Sequence, residues 1–189
     1  RPDCLPPETL DLLAELNQIK PIWVELGLQT VHADTSRFIR SGFTLECFHE
    51  AVRSLASRHI PVIVHVILGL PGETREQMLE TVCHVGSLNI FGIKLQLLHV
   101  LSGTDLGTLY RKSPFPLLSQ DEYCGLVADC LERLPEHITI HRLTGDGPKD
   151  LLIAPLWSRA KRSVLNQIAQ TLKMRGTWQG KYFGSNGQQ

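Results

Sequence analysis

Polar side chains interrupt strand-like apolar runs in this 189-residue sequence. Glu25 and Gln29 stand in the first run, His65 breaks the second, and His99 lies near the end of the third. Since a buried polar group costs free energy unless it is paired, each of these side chains requires an internal partner or a ligand. One such residue usually has an internal partner, whereas several at neighbouring strand ends favour a pocket. The sequence therefore predicts a binding pocket at the ends of these runs.

The turn at residues 69–72, Gly-Leu-Pro-Gly, directly follows the second run. Thr74 and Gln77 have the spacing of a capping box, which predicts that a helix begins at once. A strand, a glycine turn and a helix start place free N–H groups and a positive dipole end at the mouth of an α/β fold. The same turn is also typical of an ordinary connection between a strand and a helix, which needs glycine for steric reasons. The polar residues nearby favour the interpretation as a ligand-binding turn.

Strand-like and helical patterns alternate along the chain. The strands are predicted to begin near residues 22, 61, 92 and 137, and the intervening segments have apolar residues at helical spacing. Such alternation predicts βαβ crossovers and a parallel sheet. Ligands of parallel α/β folds bind at the carboxyl ends of the strands. The polar or glycine positions predicted there are Glu25, Gln29, His65, Gly69, His99 and the loop 142–146.

The composition excludes several classes of protein. No apolar run approaches the roughly 18 residues of a membrane span, and the five cysteines contain no Cys-x-x-Cys pair. The sequence also lacks a Gly-x-Ser-x-Gly elbow and a Gly-x-x-x-x-Gly-Lys loop. We therefore expect a cytoplasmic α/β binding unit with no metal site of its own. The opening at Arg1 without an initiator methionine favours a piece of a longer polypeptide.

Positive charge accumulates toward the end of the chain. After Asp150 there is no acidic residue, whereas six lysines and arginines follow. Trp178, Tyr182 and Phe183 lie among the last of them. Such a segment could contact nucleic acid through phosphates and base stacking. The simpler interpretation is a solvated helix followed by a frayed end.

Three motifs of this sequence, taken together and in their order along the chain, resemble the C-terminal part of a radical S-adenosylmethionine (SAM) enzyme. They are WVELGLQT at 23–30, HVILGLPGET at 65–74 and KLQLLHVL at 94–101. The strings HRLTGDG at 141–147 and APLW at 154–157 resemble the YhcC-type branch, which is related to the Elongator catalytic subunit. The resemblance implies an α/β fold: the C-terminal half of a partial (βα)6 TIM-type barrel with parallel strands, plus a C-terminal α/β extension. The implied divisions are a half-barrel at 1–112, the extension at 113–178 and a disordered tail at 179–189.

The resemblance also implies a reaction. Radical SAM enzymes bind a [4Fe–4S] cluster through three cysteines, and SAM chelates the fourth iron. Reductive cleavage of SAM then yields a 5′-deoxyadenosyl radical, which abstracts hydrogen from a substrate. The Cys-x-x-x-Cys-x-x-Cys loop is absent from these residues, so the cluster ligands are expected outside this chain. The implied partners are SAM, an RNA or small-molecule substrate and a reductant such as flavodoxin or ferredoxin, and the open barrel edge allows self-association.

SAM contacts follow from the resemblance position by position. Gln29 and His65 match residues near the ribose, and Ile67 matches the strand that packs on the adenine. Related enzymes usually carry Asn-Arg-Gly after this first strand, with the arginine on the SAM carboxylate, but residues 40–42 read Arg-Ser-Gly. Either Arg40 takes that role from one residue away, or the anchor is weakened. The predicted contacts are Glu25, Gln29, Arg40, His65, Ile67, Gly69, His99, Val100 and Leu101.

Two alternatives remain open at this point. The chain could be a different α/β barrel domain, in which residues 69–72 hold a phosphate at the helix start. It could also be a non-catalytic domain that has kept the fold and lost the chemistry.

Overall fold

The computed structural model describes residues 1–145 and 147–184. In this part of the chain, seven α-helices and six strands follow a short 3₁₀ turn at Pro2–Cys4. In order they are α1 (Pro7–Ile19), β1 (Val24–Gln29), α2 (Ala33–Phe38), α3 (Leu45–Ala56), β2 (Val62–Leu68), α4 (Arg75–Gly86), β3 (Gly92–Leu97), β4 (Val100–Leu101), α5 (Asp105–Lys112), α6 (Gln120–Arg133), β5 (Thr139–Arg142), β6 (Leu152–Ala154) and α7 (Lys161–Arg175).

Four of the strands form one parallel sheet in the order β1-β2-β3-β5. Each neighbouring pair is joined by at least one helix, as βαβ crossovers require. The sheet is open within the described residues, with β1 and β5 at its edges. The predicted α/β half-barrel with parallel strands is confirmed, while self-association through an edge stays a prediction.

One face of the sheet forms the hydrophobic core with helices α3, α4 and α6. Val64, Val66 and Leu95 on this face are fully buried and pack against the helix residues Phe48 and Val82. Because strand side chains alternate with period two, the intervening residues point to the opposite face. We call that opposite face the concave face; it carries Glu25, Gly27, His65, Ile67, Lys94 and Gln96.

The capping box predicted at Thr74 and Gln77 is present. Thr74 accepts a hydrogen bond from the Gln77 backbone N–H, and the Gln77 side chain accepts one from the Thr74 N–H. Ser119 and Glu122 make the same reciprocal pair at the start of α6. Two orphan amides at each helix start are thereby satisfied, which fixes where α4 and α6 begin.

The strand predicted to begin near residue 92 is short. β3 ends at Leu97, and residues 100–101 form β4, which pairs antiparallel with β6. The segment β6 is three residues long and was not predicted, because so short a strand has no readable periodicity. The last helix begins at Lys161, after a 3₁₀ turn at Leu156–Arg159.

Residues 179–184 are held against the end of α6. The Gly180 and Tyr182 N–H groups donate to the carbonyls of Leu131 and Glu132, at 3.0 and 2.7 Å. The Gln179 side-chain amide donates to two further carbonyls. The expectation of disorder from residue 179 is therefore wrong for 179–184, and 185–189 lie outside the described residues. The boundaries at 112 and 178 stay predictions.

No helix in the described ranges combines the length and the apolar character needed to cross a membrane.

Replacing Gln179 by alanine tests how the end of the chain is fixed. The carbonyls of Pro135 and Ile138 belong to buried residues; without the Gln179 amide the Ile138 carbonyl would lose its donor, whereas the Pro135 carbonyl keeps the Ile138 N–H. We expect Gln179→Ala to lower the free energy of unfolding by about 1–3 kcal/mol, the usual cost of an unsatisfied buried acceptor. Urea unfolding of the full-length protein measures this. Gln170→Ala, at an exposed position of α7, is the control; equal losses in the two variants would contradict the prediction.

Candidate functional site

A cavity of about 780 Å³ opens at the carboxyl ends of β1 and β2. The helix α5 and the segment after α2 form its sides. Most of the wall is apolar and is supplied by Phe38, Ile39, Phe43, Ile67, Leu70, Leu98, Leu106 and Leu109. The polar groups on the wall are Arg1, Gln29, Arg40, Ser41, Thr104 and Asp105. A mostly apolar cavity with a few polar groups is the usual form of a small-molecule site.

Gln29 brings an unpaired acceptor into this cavity. The chain is irregular between Gly27 and Gln29, and Gln29 has a φ of 70°. Its amide folds back over Gly27, where a Cβ atom would stand 2.5 Å from Gln29 Nε2. Gln29 Oε1 is buried without a hydrogen-bond partner among the described residues. Since an unsatisfied buried acceptor is costly, a ligand hydroxyl or ammonium that donates to it would stabilise this arrangement.

Arg40 and Asp105 form an ion pair at the cavity wall. Arg40 Nη1 donates to Asp105 Oδ2 at 2.7 Å. Arg40 lies in the segment after α2, and Asp105 is the first residue of α5. Both side chains are about four-fifths exposed, at 79% and 82%. Exposed pairs of this kind contribute about 1 kcal/mol or less. A ligand that offers a carboxylate and an ammonium could therefore replace the partner of each residue.

The glycine turn lies beside the cavity. Gly69 has a φ of 87° and Gly72 a φ of 85°, values that favour glycine. The Gly69 N–H already contacts the Met78 Sδ atom at 3.0 Å, and a Cβ at Gly69 would come within 3.2 Å of Leu118. This N–H is therefore occupied, which weakens the alternative that the turn holds a phosphate. Leu70, and not Gly69, lines the cavity.

Glu25 and His65 are partners of each other on the concave face. Glu25 Oε2 accepts hydrogen bonds from His65 Nε2 at 2.7 Å and from Lys94 Nζ. Gln96 Nε2 donates to His65 Nδ1 at 3.2 Å. The ring therefore accepts at Nδ1 and carries its proton on Nε2, the neutral form. We call Glu25, His65, Lys94 and Gln96 the polar ladder.

The polar ladder shifts the pKa values of two of its members. The hydrogen bond from Lys94 is the main reason that the pKa of Glu25 lies at about 2, below its ordinary value of 4.5. Burial lowers the pKa of His65, against the opposing effect of its hydrogen bond to Glu25. Near neutral pH the ladder thus holds an ionised carboxylate next to a neutral imidazole.

His99, Val100 and Leu101 lie away from the cavity wall. The His99 ring packs on the loop after β5, where a Cβ at Gly145 or Gly147 would stand 2.5 or 2.7 Å from ring atoms. Val100 and Leu101 pair with β6. Of the nine predicted contacts, the cavity brings together Gln29, Arg40 and Ile67. That the nine residues contact SAM stays a prediction.

The sequence reasoning missed the contribution of α5. Thr104 caps this helix by accepting from the Gly107 N–H, and Asp105 follows as its first residue. The motif Ser-Gly-Thr at 102–104 signals the helix start but not its direction. Only the pairing of β4 with β6, which turns the chain, places Thr104, Asp105 and Leu109 on the cavity wall.

The cysteines of this chain do not form a cluster site. None of the five lines the cavity, and no group of three metal-binding side chains occurs among the residues that the structure describes. Cys124 and Cys130 are buried in α6, and burial raises their pKa values to about 11 and about 12. Thiols in that state are poor metal ligands.

Comparison with known proteins gives a consistent result. A model described as "Radical SAM superfamily" matches residues 1–83, and one described as "Radical_SAM C-terminal domain" matches residues 90–174. The uncharacterized protein YtqA of Bacillus subtilis is 48% identical over 183 residues, which cover 97% of this chain and 57% of YtqA. Protein YhcC of Escherichia coli is 30% identical over 185 residues, covering 97% of this chain and 60% of YhcC.

A solved structure shares the fold. The archaeal Methanocaldococcus infernus Elp3 with an N-terminal deletion superposes with a TM-score of 0.81 at 16% identity. The superposition covers 100% of this chain and 45% of that one. The chain thus spans less than two thirds of the length of the curated relatives named above.

The polar ladder makes a testable prediction about pH. Because the pKa of Glu25 is depressed in the folded state, its contribution to stability is present above pH 4.5 and is lost as the pH falls toward about 2. We expect Lys94→Met to raise the pKa of Glu25 toward 4.5 and to move acid unfolding to higher pH. Carboxyl ¹³C NMR titration of the full-length protein measures the pKa directly. The exposed substitution Lys20→Met is the control, and an unchanged Glu25 pKa in Lys94→Met would contradict the prediction.

Proposed function

The chain belongs to the radical SAM superfamily, in its YhcC-type branch, and from this premise we propose that the cavity at the strand ends binds SAM. The observation that carries the proposal is the buried, unpaired Gln29 Oε1 on the cavity wall. SAM has the donors that such an acceptor needs, in its ribose hydroxyls and its ammonium group. The cavity volume of about 780 Å³ also lies within the usual range for sites of small molecules and cofactors.

The distribution of wall residues matches the three parts of SAM. The apolar side chains of Ile67, Leu70 and Leu98 offer a surface for the adenine ring. Gln29 accepts from the ribose. The Arg40–Asp105 pair is complementary to the amino-acid end, because the guanidinium can bind the carboxylate while Asp105 accepts from the ammonium. In this arrangement Arg40 takes the anchoring role that the sequence left open.

The whole protein is proposed to be a radical SAM enzyme. When SAM and a [4Fe–4S] cluster are both bound, they supply a 5′-deoxyadenosyl radical that removes a hydrogen atom from a substrate. The residues of this chain do not fit the cluster, so its ligands are assigned elsewhere in the protein. This chain would bind and orient SAM and keep water from the adenosyl group through the apolar wall.

The two alternatives have less support. At residues 69–72 and the helix start after them, Met78 already engages the Gly69 N–H and the capping box engages the N–H groups of Thr74 and Gln77, which leaves fewer amides for a phosphate. A domain without cofactor would have no use for an unpaired acceptor buried in a cavity of this size. The experiment below separates both from the proposal.

Substitution of Arg40 tests the assignment of the carboxylate anchor. We expect Arg40→Met to weaken SAM binding by about tenfold or more, since a hydrogen bond to a charged group contributes about 1.5–3 kcal/mol. Titration calorimetry of SAM into the full-length protein with its cluster loaded gives the Kd. Arg53→Met is a matched control, because Arg53 also forms an exposed pair, with Glu46, on α3. A Kd equal to that of the control would remove Arg40 from the site.

Gln29→Met provides the second test. Methionine keeps the size of the side chain and removes the amide. We expect SAM affinity to fall by up to about tenfold, which corresponds to the free energy of one neutral hydrogen bond. Free energy of unfolding should not fall, because the substitution also removes an unsatisfied acceptor. SAM affinity that is unchanged while folding stability drops would show that Gln29 has a structural role only.

A further inference from the structure

Among the described residues, the half-buried cation Arg142 has no counter-ion. It ends β5, and the register places it next to Lys94 of β3, after an irregularity at residues 93–94. Within the described ranges, the Arg142 side chain has no hydrogen bond and no carboxylate at ion-pair distance. Arginine is seldom buried unless it is paired. Its guanidinium is therefore available to a ligand.

The charges around Arg142 do not balance. Lys94 is paired with Glu25, and His65 is held in the neutral form by burial. Both Lys94 and Arg142 act electrostatically on His65, so the field of both cations reaches the same point of the concave face. The Arg40–Asp105 pair at the cavity wall adds no net charge. Among the residues that the structure describes, one positive charge is left over, and it favours the binding of small anions on this face.

This part of the concave face lies directly below the SAM cavity. Ile67 of the cavity wall is two residues beyond His65 on the same side of β2, a rise of about 7 Å. At the amino-terminal ends of β1 and β3, the His141 ring contacts two other rings. Its centroid lies 6.3 Å from that of Trp23 and 5.9 Å from that of Phe91. A group that binds next to Arg142 is thus confined between the cavity and these rings.

We propose that the concave face binds an oxyanion of the substrate, with Arg142 as the principal donor and Lys94 and Gln96 beside it. The proposal rests on the proposed function, in which SAM fills the cavity above and leaves this face to the substrate. Guanidinium groups bind phosphate and carboxylate oxygens in the same bidentate manner. The substrate class is therefore a small molecule with a phosphate or carboxylate group.

A small molecule fits this face better than a polynucleotide. Only 15% of the Lys94 side chain and 24% of the His65 side chain are exposed, even though the sheet is open. A nucleic-acid backbone binds to exposed lysines and arginines along a surface. Arg142 ends the edge strand β5 and stands beside Lys94 on the concave face, where a single group can reach both cations.

The test uses inorganic phosphate and acetate as probes on the full-length protein. The imidazole ¹⁵N signals of His65 are followed by NMR during titration with each anion, at constant ionic strength. We expect phosphate, acetate or both to shift these signals and to raise the pKa of His65, because a bound anion stabilises the imidazolium form. A stronger response to phosphate would assign a phosphorylated substrate, and a stronger response to acetate a carboxylate.

Three variants make the result specific. We expect Arg142→Gln to weaken binding of the anion by about tenfold or more, as for loss of a charge-assisted hydrogen bond. Arg142→Lys keeps the charge and should retain part of the response. Arg111→Gln, at an exposed position in the last turn of α5, should bind as the wild type does.

The outcomes separate this proposal from the one on SAM. Calorimetry with SAM on Arg142→Gln should give the wild-type Kd, since Arg142 does not line the cavity. Failure of the wild type to bind SAM would count against the proposed function, but the anion titration could still be interpreted. No shift of His65 with either anion, an equal response in Arg142→Gln, or a shift caused by an RNA oligonucleotide alone would overturn the oxyanion site.

Discussion

The parallel pairing of β2 with its two neighbours is the constraint on which the rest of the structure depends. Its register sets Gly27 opposite His65 and His65 opposite Lys94. A slip of one residue would turn the apolar side chains of Val64 and Val66 to the concave face and bury the polar ladder under the helices. The burial of the apolar row therefore fixes where the charges stand.

The same register separates two regions of chemistry along the strands. Near the middle of the sheet, Glu25 and His65 satisfy each other and need no ligand. At the carboxyl ends, the irregular backbone at Gln29 and the arrival of α5 open a cavity whose polar groups are incompletely satisfied. Arg142 is the exception in the first region, because its charge has no partner among the residues that the structure describes. The unsatisfied Gln29 Oε1 thus stands where the fold leaves a cavity for a ligand.

Local signals in the sequence were enough for much of this fold. Alternating patterns predicted the parallel strands, and the capping residue Thr74 predicted the start of α4. Gln29, Arg40 and Ile67 were predicted as site residues and do line the cavity. The pairing of Glu25 with His65 was not predictable, because it joins side chains 40 residues apart through a register that no local pattern encodes. The same holds for Asp105, whose position depends on β4 and β6.

The central claim is that an adenosyl ligand fills the cavity at the ends of β1 and β2. Hydrogen exchange of the full-length protein, with and without S-adenosylhomocysteine, tests it most directly, because it reports on every backbone amide near the ligand. The account predicts slower exchange around Gln29, at 40–42, at 67–70 and at 104–107. Protection confined to the loop around Gly145 that packs on His99, with no change at those four places, would contradict it.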